Sequence, residues 1–187
     1  VAAGDGGPVD RTSGTLASGR RMPNLTARVV GPHGDPLPSG EQGELEVSGP
    51  QVVPGYWGKR EATRQTMPEG RLRTGDVAVI DEQGWVYLVD RLKDQINVSG
   101  YKVWPREVED ALYEHPSVLE AAVVGQPDDY RGERVVAYVS LKAGPHATAE
   151  ELIAFSRERL AAYKCPRTIH FVADLPKTQS GKIRRAE

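Results

Sequence analysis

The sequence predicts a mixed α+β and α/β fold in two parts: a small β-rich lobe over residues 1–90 and a compact α/β domain over residues 94–187. Residues 1–90 are rich in glycine and proline and carry short alternating runs, a pattern typical of strands and turns. Residues 94–187 alternate strand-like and helix-like segments, which indicates a central sheet flanked by helices. With 39% hydrophobic and 27% charged residues, the 187-residue chain is expected to fold.

In the first part, the residues up to Pro23 show little periodicity and predict a loop. Polar residues 81–83, followed by Gly84, separate two strand-like runs and therefore predict a β-hairpin. The predicted elements of this part are strands at 27–30 and 43–48, a short helix at 60–67, and the hairpin strands at 71–80 and 85–89.

In the second part, Ser99-Gly100 separates two short strands and predicts a tight hairpin. Pro105 stands where a first helical residue would, and His115-Pro116 ends that helix. Thr148 with Glu151 forms a capping-box pattern that opens a second helix. The predicted elements are strands at 95–98, 101–103, 118–124, 135–141 and 168–172, with helices at 105–114 and 149–160.

Composition excludes several classes of function. Lys+Arg 24 against Asp+Glu 26 gives a net charge of -2, which argues against a nucleic-acid partner. Cys165 is the single cysteine, so no intrachain disulfide can form, as suits a reducing compartment. There is no targeting segment and no apolar run near the roughly 20 residues that a bilayer requires, so we expect a cytoplasmic protein without a transmembrane segment. The start at Val1, without methionine, suggests a fragment.

A glycine-containing loop at 175–184 carries Lys177 and Lys182. Such a loop can bring one ammonium group to a phosphate or a carboxylate. The Gly181-Lys182 pair resembles part of a phosphate-binding loop, but the spaced glycines of that motif are absent. On spacing alone, a mobile basic tail is the better interpretation.

Asp76 follows a Gly75 turn, and Arg91 lies in a charged stretch between the two parts. Asp76 can accept hydrogen bonds from a ribose diol, or it can cap its own turn. Arg91 can bind nucleotide oxygens, or it can pair at the surface with Asp90 or Asp94. Taken singly, each residue favours the simpler interpretation.

Seven motifs that follow one another in a fixed order favour the nucleotide-binding interpretation of these residues over the simpler one. The chain resembles the adenylate-forming (ANL) superfamily of acyl-CoA synthetases, luciferases and nonribosomal-peptide adenylation domains. Residues 99–109 look most like medium- and long-chain fatty-acyl-CoA ligases. The motifs are Gly43-Glu44-Leu45, Gly55-Tyr56-Trp57, Arg73-Thr74-Gly75-Asp76, Asp90-Arg91-Leu92-Lys93-Asp94, Ser99-Gly100-Tyr101-Lys102, Pro105-Arg106-Glu107-Val108-Glu109 and Pro176-Lys177-Thr178-Gln179-Ser180-Gly181-Lys182.

The resemblance implies an AMP-forming fatty-acid–CoA ligase. A carboxylate attacks ATP, giving acyl-AMP and pyrophosphate, and CoA then takes the acyl group and releases AMP. Asp76 and Arg91 would bind the nucleotide, and Lys182 would reach the carboxylate and the α-phosphate. Residues 91–93 would form a hinge centred on Lys93, with residues 1–90 as the distal part of a large N-terminal domain and 94–187 as the mobile C-terminal domain.

CoA contacts are implied more loosely. The Ser99-Gly100-Tyr101 hairpin would line the pantetheine tunnel, and Arg131 with Cys165-Pro166-Arg167 would lie near the CoA nucleotide. Arginines suit phosphate groups. Cys165 is interpreted as a packing or surface residue and not as a nucleophile, and Glu107 and Glu109 as acids at a helix start.

Several family parts are missing from this stretch of sequence. The phosphate loop, the Tyr-Gly-x-Thr-Glu adenine and magnesium motif, and the acyl pocket all precede the segment that the resemblance covers. ATP, Mg²⁺ and CoA are therefore expected to act with an additional N-terminal domain of the same polypeptide, the Mg²⁺ site lying outside this chain. An isolated chain should not adenylate a fatty acid. Two alternatives stay open: a ligase that loads a carrier protein, and a non-catalytic binding module that kept the fold.

Overall fold

The computed structural model describes residues 7–10, 15–144 and 146–185. The chain divides into two compact units, Val1–Lys93 and Asp94–Glu187. Each unit has its own sheet and its own buried apolar cluster. The mixed fold class predicted from the sequence is confirmed.

The first unit is built on a five-stranded antiparallel sheet with the order β1-β5-β4-β3-β2. Val29, Leu45 and Ala78 form a buried apolar cluster in this unit, and partly buried apolar residues pack around them. Its elements are β1 (Gly19–Arg20), β2 (Thr26–Val30), β3 (Gln42–Ser48), α1 (Arg60–Thr66), β4 (Leu72–Ile80) and β5 (Trp85–Arg91).

Strand β1 lies in the stretch that the sequence predicted to be a loop. It is only two residues long, and Gly19 and Arg20 pair with Val86 and Trp85 of β5. The Arg20 guanidinium lies 4.7 Å from the centre of the Trp85 ring. This strand therefore depends on a partner distant in sequence, and two residues carry no periodicity that could predict it.

Glu46 of β3 is a buried acid whose charge is balanced across the sheet. It lies opposite Arg28 of β2, and Arg28 Nε donates to Glu46 Oε1 at 2.6 Å. A buried carboxylate without such a partner would be strongly unfavourable. The pair therefore compensates a charge in the middle of the first sheet.

The second unit is built around one central strand. Strand β9 pairs antiparallel with β8 from Gly132 to Leu141, and it pairs parallel with β10. The parallel pair follows from the chain crossing over through α3 between β9 and β10, because parallel strands need such a crossover. The elements are β6 (Ile96–Val98), β7 (Tyr101–Val103), α2 (Pro105–Tyr113), β8 (Val118–Asp128), β9 (Gly132–Leu141), α3 (Ala149–Arg157) and β10 (Thr168–Phe171).

Both predicted helices of this unit form, with Pro105 opening α2. Thr148 and Glu151 make the predicted capping box: the Thr148 hydroxyl accepts from the Glu151 amide at 3.2 Å, and the Glu151 carboxylate accepts from the Thr148 amide at 2.8 Å. The helices pack on the sheet, and their core includes Val108, Leu112, Val118, Val123, Val135, Val139, Leu152 and Ile169.

Strands β8 and β9 are longer than the sequence predicted. The sequence predicts that this strand ends at Val124, whereas β8 continues through Pro127 to Asp128. Proline is tolerated there because β8 pairs only with β9 among the described residues, and an edge strand can lack one donor. The hairpin between the two strands is therefore shorter than expected.

In the part of the chain that the structure describes, no helix has both the length and the apolar character that crossing a bilayer requires.

Candidate functional site

In the first unit, Asp76 and Arg91 face each other across two strands. They are paired residues of β4 and β5, and Arg91 Nε lies 2.8 Å from Asp76 Oδ1. The Asp76 side chain is 25% exposed and the Arg91 side chain 58% exposed, so a ligand can approach both. The structure thus gives Arg91 a different ion partner from the Asp90 or Asp94 considered from sequence.

The turn before Asp76 is held by other residues. Gly75 has a φ of 71°, its amide donates to Glu44 Oε1 at 3.1 Å, and the Asp76 amide donates to Thr74 Oγ1 at 3.1 Å. The Thr74 hydroxyl in turn donates to the Leu45 carbonyl at 2.9 Å. Because Thr74 caps this turn, the Asp76 carboxylate can accept hydrogen bonds from a diol.

Lys93 lies in a short 3₁₀ turn, Leu92–Asp94, directly after β5. Its side chain is exposed, and it is the last residue of the first unit. The role of residues 91–93 as a hinge stays a prediction.

Lys182 lies on a closed hairpin, where spacing alone had favoured a mobile tail. Lys177 and Ile183 form an antiparallel bridge. Inside it, the Thr178 amide donates to the Lys182 carbonyl at 2.8 Å and the Lys182 amide donates to Thr178 Oγ1 at 3.1 Å. Gly181, with a φ of 80°, makes the reversal. The Lys182 side chain is exposed next to this turn.

The second unit contains a pocket of about 230 Å³ that gathers most of the residues predicted to contact CoA. Five of the seven line it: Ser99, Tyr101, Arg131, Cys165 and Arg167. Gly100 and Pro166 do not line it, although each is adjacent in sequence to residues that do. Val98, Arg134, Val135, Ala162 and Tyr163 complete the lining.

The β6–β7 hairpin forms one wall of this pocket. Ser99 and Gly100 have φ values of 52° and 86°, so both central residues are left-handed, as a two-residue hairpin turn of type I′ requires. The Gly100 amide donates to Asn97 Oδ1 at 2.9 Å, and the Ser99 amide donates to the Arg131 carbonyl at 2.8 Å. The predicted tight hairpin is confirmed, and its turn is joined to the loop that carries Arg131.

Asp128 shapes that loop. Its Oδ1 accepts from the amides of Arg131 at 2.9 Å and Tyr130 at 3.1 Å. The hydrogen bond from the Arg131 amide is the largest cause of a lowered Asp128 pKa, with the Arg131 and Arg134 charges adding to it. Asp128 is therefore a charged turn residue that fixes the backbone position of Arg131.

Two lining residues, Tyr163 and Arg134, were not predicted. The Tyr163 ring stacks on Tyr101 with 4.6 Å between ring centres. Arg134 Nη2 donates to Gln126 Oε1 at 3.2 Å, while its buried Nε has no hydrogen-bond partner within the described residues. Neither residue belongs to one of the seven ordered motifs, so the sequence carried no signal that places either of them at this pocket.

Cys165 is buried and lines the pocket, and its Sγ lies 3.5 Å from the Ala161 carbonyl oxygen. Burial raises the pKa of the Cys165 thiol, although the Arg157 and Arg167 charges act in the opposite direction. A thiol held protonated is a poor nucleophile. Its burial favours packing over a surface position, the two roles left open by the sequence.

Among the described residues, no group of three or more His, Cys, Asp or Glu side chains is arranged to hold a metal ion.

Comparison with protein families matches two segments of the chain. Residues 107–182 match the AMP-binding enzyme C-terminal domain, and residues 4–57 match the AMP-binding enzyme domain. A long-chain-fatty-acid–CoA ligase of Bacillus subtilis (strain 168) is 53% identical over 145 residues, 78% of this chain and 26% of that protein. A feruloyl-CoA synthase of Amycolatopsis sp is 46% identical over 160 residues, 86% of this chain and 33% of that protein.

Solved structures show the same similarity. ATP-bound MatB from Rhodopseudomonas palustris superposes with a TM-score of 0.87 at 36% identity, over 91% of this chain and 34% of that one. The o-succinylbenzoate CoA synthetase MenE from Bacillus subtilis, in complex with the acyl-adenylate OSB-AMP, superposes with a TM-score of 0.84 at 33% identity over 91% of this chain and 35% of that one. The chain spans about a quarter to a third of the length of the curated relatives it matches.

Proposed function

The chain belongs to the adenylate-forming superfamily of AMP-binding enzymes, and from that premise we propose that it is the carboxyl-terminal part of an ATP-dependent fatty-acid–CoA ligase. The relatives at 41–53% identity that are named long-chain-fatty-acid–CoA ligases support this substrate class. The observation that carries the choice of CoA is the arginine-lined pocket beside the β6–β7 hairpin. Below, the protein that carries this chain together with its N-terminal domain is called the parent ligase.

In the first half-reaction, a fatty-acid carboxylate oxygen bonds to the α-phosphorus of ATP, and the bond to pyrophosphate breaks. Asp76 accepts hydrogen bonds from the ribose hydroxyls, and Arg91 holds both Asp76 and the nucleotide. The Lys182 ammonium lies between the two negatively charged reactants and offsets the charge that develops as they meet. Mg²⁺ would bind outside this chain.

In the second half-reaction, the CoA sulfur bonds to the acyl carbonyl carbon, the thiol loses its proton, and AMP leaves. Arg131, Arg134 and Arg167 surround one pocket, which suits a ligand with several phosphate groups. CoA carries a diphosphate and a further phosphate on its nucleotide. The Ser99-Gly100 turn would let the pantetheine arm pass close to the backbone.

A carrier-protein acceptor is the main alternative. The phosphopantetheine of a carrier has one phosphate and no nucleotide, so it would leave most of the arginine-lined pocket unused. The pocket therefore favours CoA. A non-catalytic module is disfavoured because Asp76 and Arg91 keep a ligand-accessible pair and Lys182 stays exposed.

The proposed function is tested on the parent ligase with ATP, Mg²⁺, a series of fatty acids, and either CoA or a phosphopantetheinylated carrier protein. We expect AMP, pyrophosphate and acyl-CoA, with little acyl-carrier product. Transfer to the carrier in preference to CoA would support the alternative, and ADP in place of AMP would refute adenylate formation. The isolated chain should release no pyrophosphate. Steady turnover by the isolated chain would contradict the proposal that adenylation needs the N-terminal domain of the parent ligase.

Arg167→Ala is expected to raise the KM for CoA about tenfold, the loss of one charge-assisted hydrogen bond, while the KM for ATP stays unchanged. Initial rates at varied CoA concentration measure this. Arg106→Ala is the matched control, because Arg106 is an exposed arginine of α2 that does not line the pocket. Equal CoA KM values for Arg167→Ala and the wild type would exclude Arg167 from the CoA site.

A further inference from the structure

The hairpin that carries Lys182 is fixed to the second unit by ion pairs on both of its strands. On the first strand, Lys177 Nζ lies 2.9 Å from Glu120 Oε2 and 2.8 Å from Asp174 Oδ1. Hydrogen bonds to these two carboxylates raise the pKa of Lys177. On the second strand, Arg185 contacts Glu109 and Asp94. The hairpin is thus held at both ends of its base.

Arg185 makes the more specific of these contacts. Its Nε donates to Glu109 Oε1 at 2.8 Å and its Nη2 to Glu109 Oε2 at 2.6 Å, the two parallel bonds that a guanidinium forms with a carboxylate. Its Nη1 donates to Asp94 Oδ2 at 3.2 Å. Asp94 directly follows Lys93, so Arg185 joins the Lys182 hairpin to the first residue of the unit.

Glu109 gives this contact a rigid base. Its side chain is only 10% exposed, and its Oε1 also accepts from the buried Val123 amide of β8 at 2.9 Å. It lies on α2 between Val108 and Leu112, which are fully buried. The sequence interpretation of Glu109 as a helix-start acid is replaced by this position, since only Glu107 stands in the first turn of α2.

A partly buried ion pair is a weak source of stability, because removing both charges from water offsets most of their attraction. Its clearer effect is to hold two elements in one geometry. Backbone bonds inside the hairpin set its shape, but they do not set its place on the unit. The position of the hairpin on the unit depends on the ion pairs of Lys177 and Arg185 at its base. A displacement of about 1 Å in a catalytic group can cost about 10²-fold in rate.

We propose that Arg185 is a positioning residue for Lys182: its two-point contact with Glu109 holds the hairpin where the Lys182 ammonium meets the reacting carboxylate and α-phosphate. This inference rests on the proposed function. Arg185 lies three residues beyond Lys182 and outside the matched residues 107–182. It acts through Lys182 and contacts no substrate.

The test measures the two half-reactions of the parent ligase separately: acyl-adenylate formation from ATP, and thioester formation from preformed acyl-adenylate and CoA. Arg185→Met should slow adenylation about tenfold or more with little change in the KM for ATP. Thioester formation should stay within about twofold of wild type, since Lys182 serves only adenylation. Arg185→Lys, which keeps the charge but not the two-point geometry, should recover part of the rate.

The double variant Arg185→Met/Lys182→Ala decides whether Arg185 acts through Lys182. We expect it to adenylate no more slowly than Lys182→Ala alone, because residues that act as a unit are not additive. Multiplied losses in the double variant, or equal losses in both half-reactions, would overturn the proposal. Arg106→Met, on the exposed side of α2, is the matched control and should match wild type.

Arg185→Lys also covers the case in which Arg185→Met fails to fold. If Arg185→Lys adenylates at the wild-type rate while Lys182→Ala is impaired, the positioning role is overturned and the proposed function stands. If the wild-type parent ligase forms no acyl-adenylate, the proposed function fails and the positioning role falls with it.

Discussion

Replacing Lys182 by alanine is expected to slow acyl-adenylate formation by the parent ligase by about 10²–10³-fold, as removal of one preorganised electrostatic group does in other enzymes. The reacting carboxylate and phosphate are both negative, and their repulsion grows as the new bond forms. An ammonium held between them lowers that barrier, and alanine leaves it uncompensated. The rate of acyl-adenylate formation in a single turnover measures the effect.

Two comparisons make this result specific. Thioester formation from preformed acyl-adenylate should change little in Lys182→Ala, because no phosphate is then being attacked. Lys142→Ala, at an exposed lysine after the end of β9, should behave as wild type in both half-reactions. An unchanged adenylation rate in Lys182→Ala would remove Lys182 from the mechanism.

Leu112→Ala is expected to destabilise the second unit by about 3 kcal/mol, within the range for a leucine deleted from a core. Leu112 is fully buried at 0% exposure in the cluster formed by α2, α3 and the second sheet. Alanine removes contacts on all sides and leaves a cavity there. Leu119→Ala is the matched control: Leu119 is 52% exposed, so its loss should cost well under 1 kcal/mol.

Urea unfolding followed by Trp104 fluorescence measures this change in the free energy of unfolding. Trp104 is the single tryptophan of the second unit and is 7% exposed, so its fluorescence should change when that unit unfolds. Replacing Trp57 and Trp85 by phenylalanine in every variant removes the signal of the first unit. This separation matters because two units need not unfold in one transition. A loss below about 1 kcal/mol in Leu112→Ala would contradict the assigned core.

Local chemistry made much of the fold predictable. The Thr148 capping box, Pro105 at a helix start and the Ser99-Gly100 turn each act within a few residues, and each forms as predicted. Strand β1 was missed because its two residues are ordered by β5, which is distant in sequence. The extension of β8 through Pro127 was missed because edge position, which tolerates proline, is a property of the sheet.

The sequence predicted those residues of the candidate site that belong to the ordered motifs. The motifs singled out Asp76 and Arg91, but their direct contact follows from strand register, which the sequence does not display. Arg134 and Tyr163 join the pocket only through folding. Glu109 fitted a local pattern at a helix start, and its pairing with Arg185, 76 residues away, was hidden for that reason.

The long strand β8 has a consequence for solubility. Among the described residues it pairs with another strand on one side only, while the Val123 and Ala121 amides donate to side chains of α2, so only part of its backbone could accept a strand from a second molecule. Pro127 removes one donor from the strand, and Glu120 places a charged side chain on it. Both features discourage edge-to-edge association. Because Lys177 neutralises the Glu120 charge, the contact that fixes the hairpin carrying Lys182 also reduces this protection, and a variant that frees the hairpin should restore a negative charge to this strand.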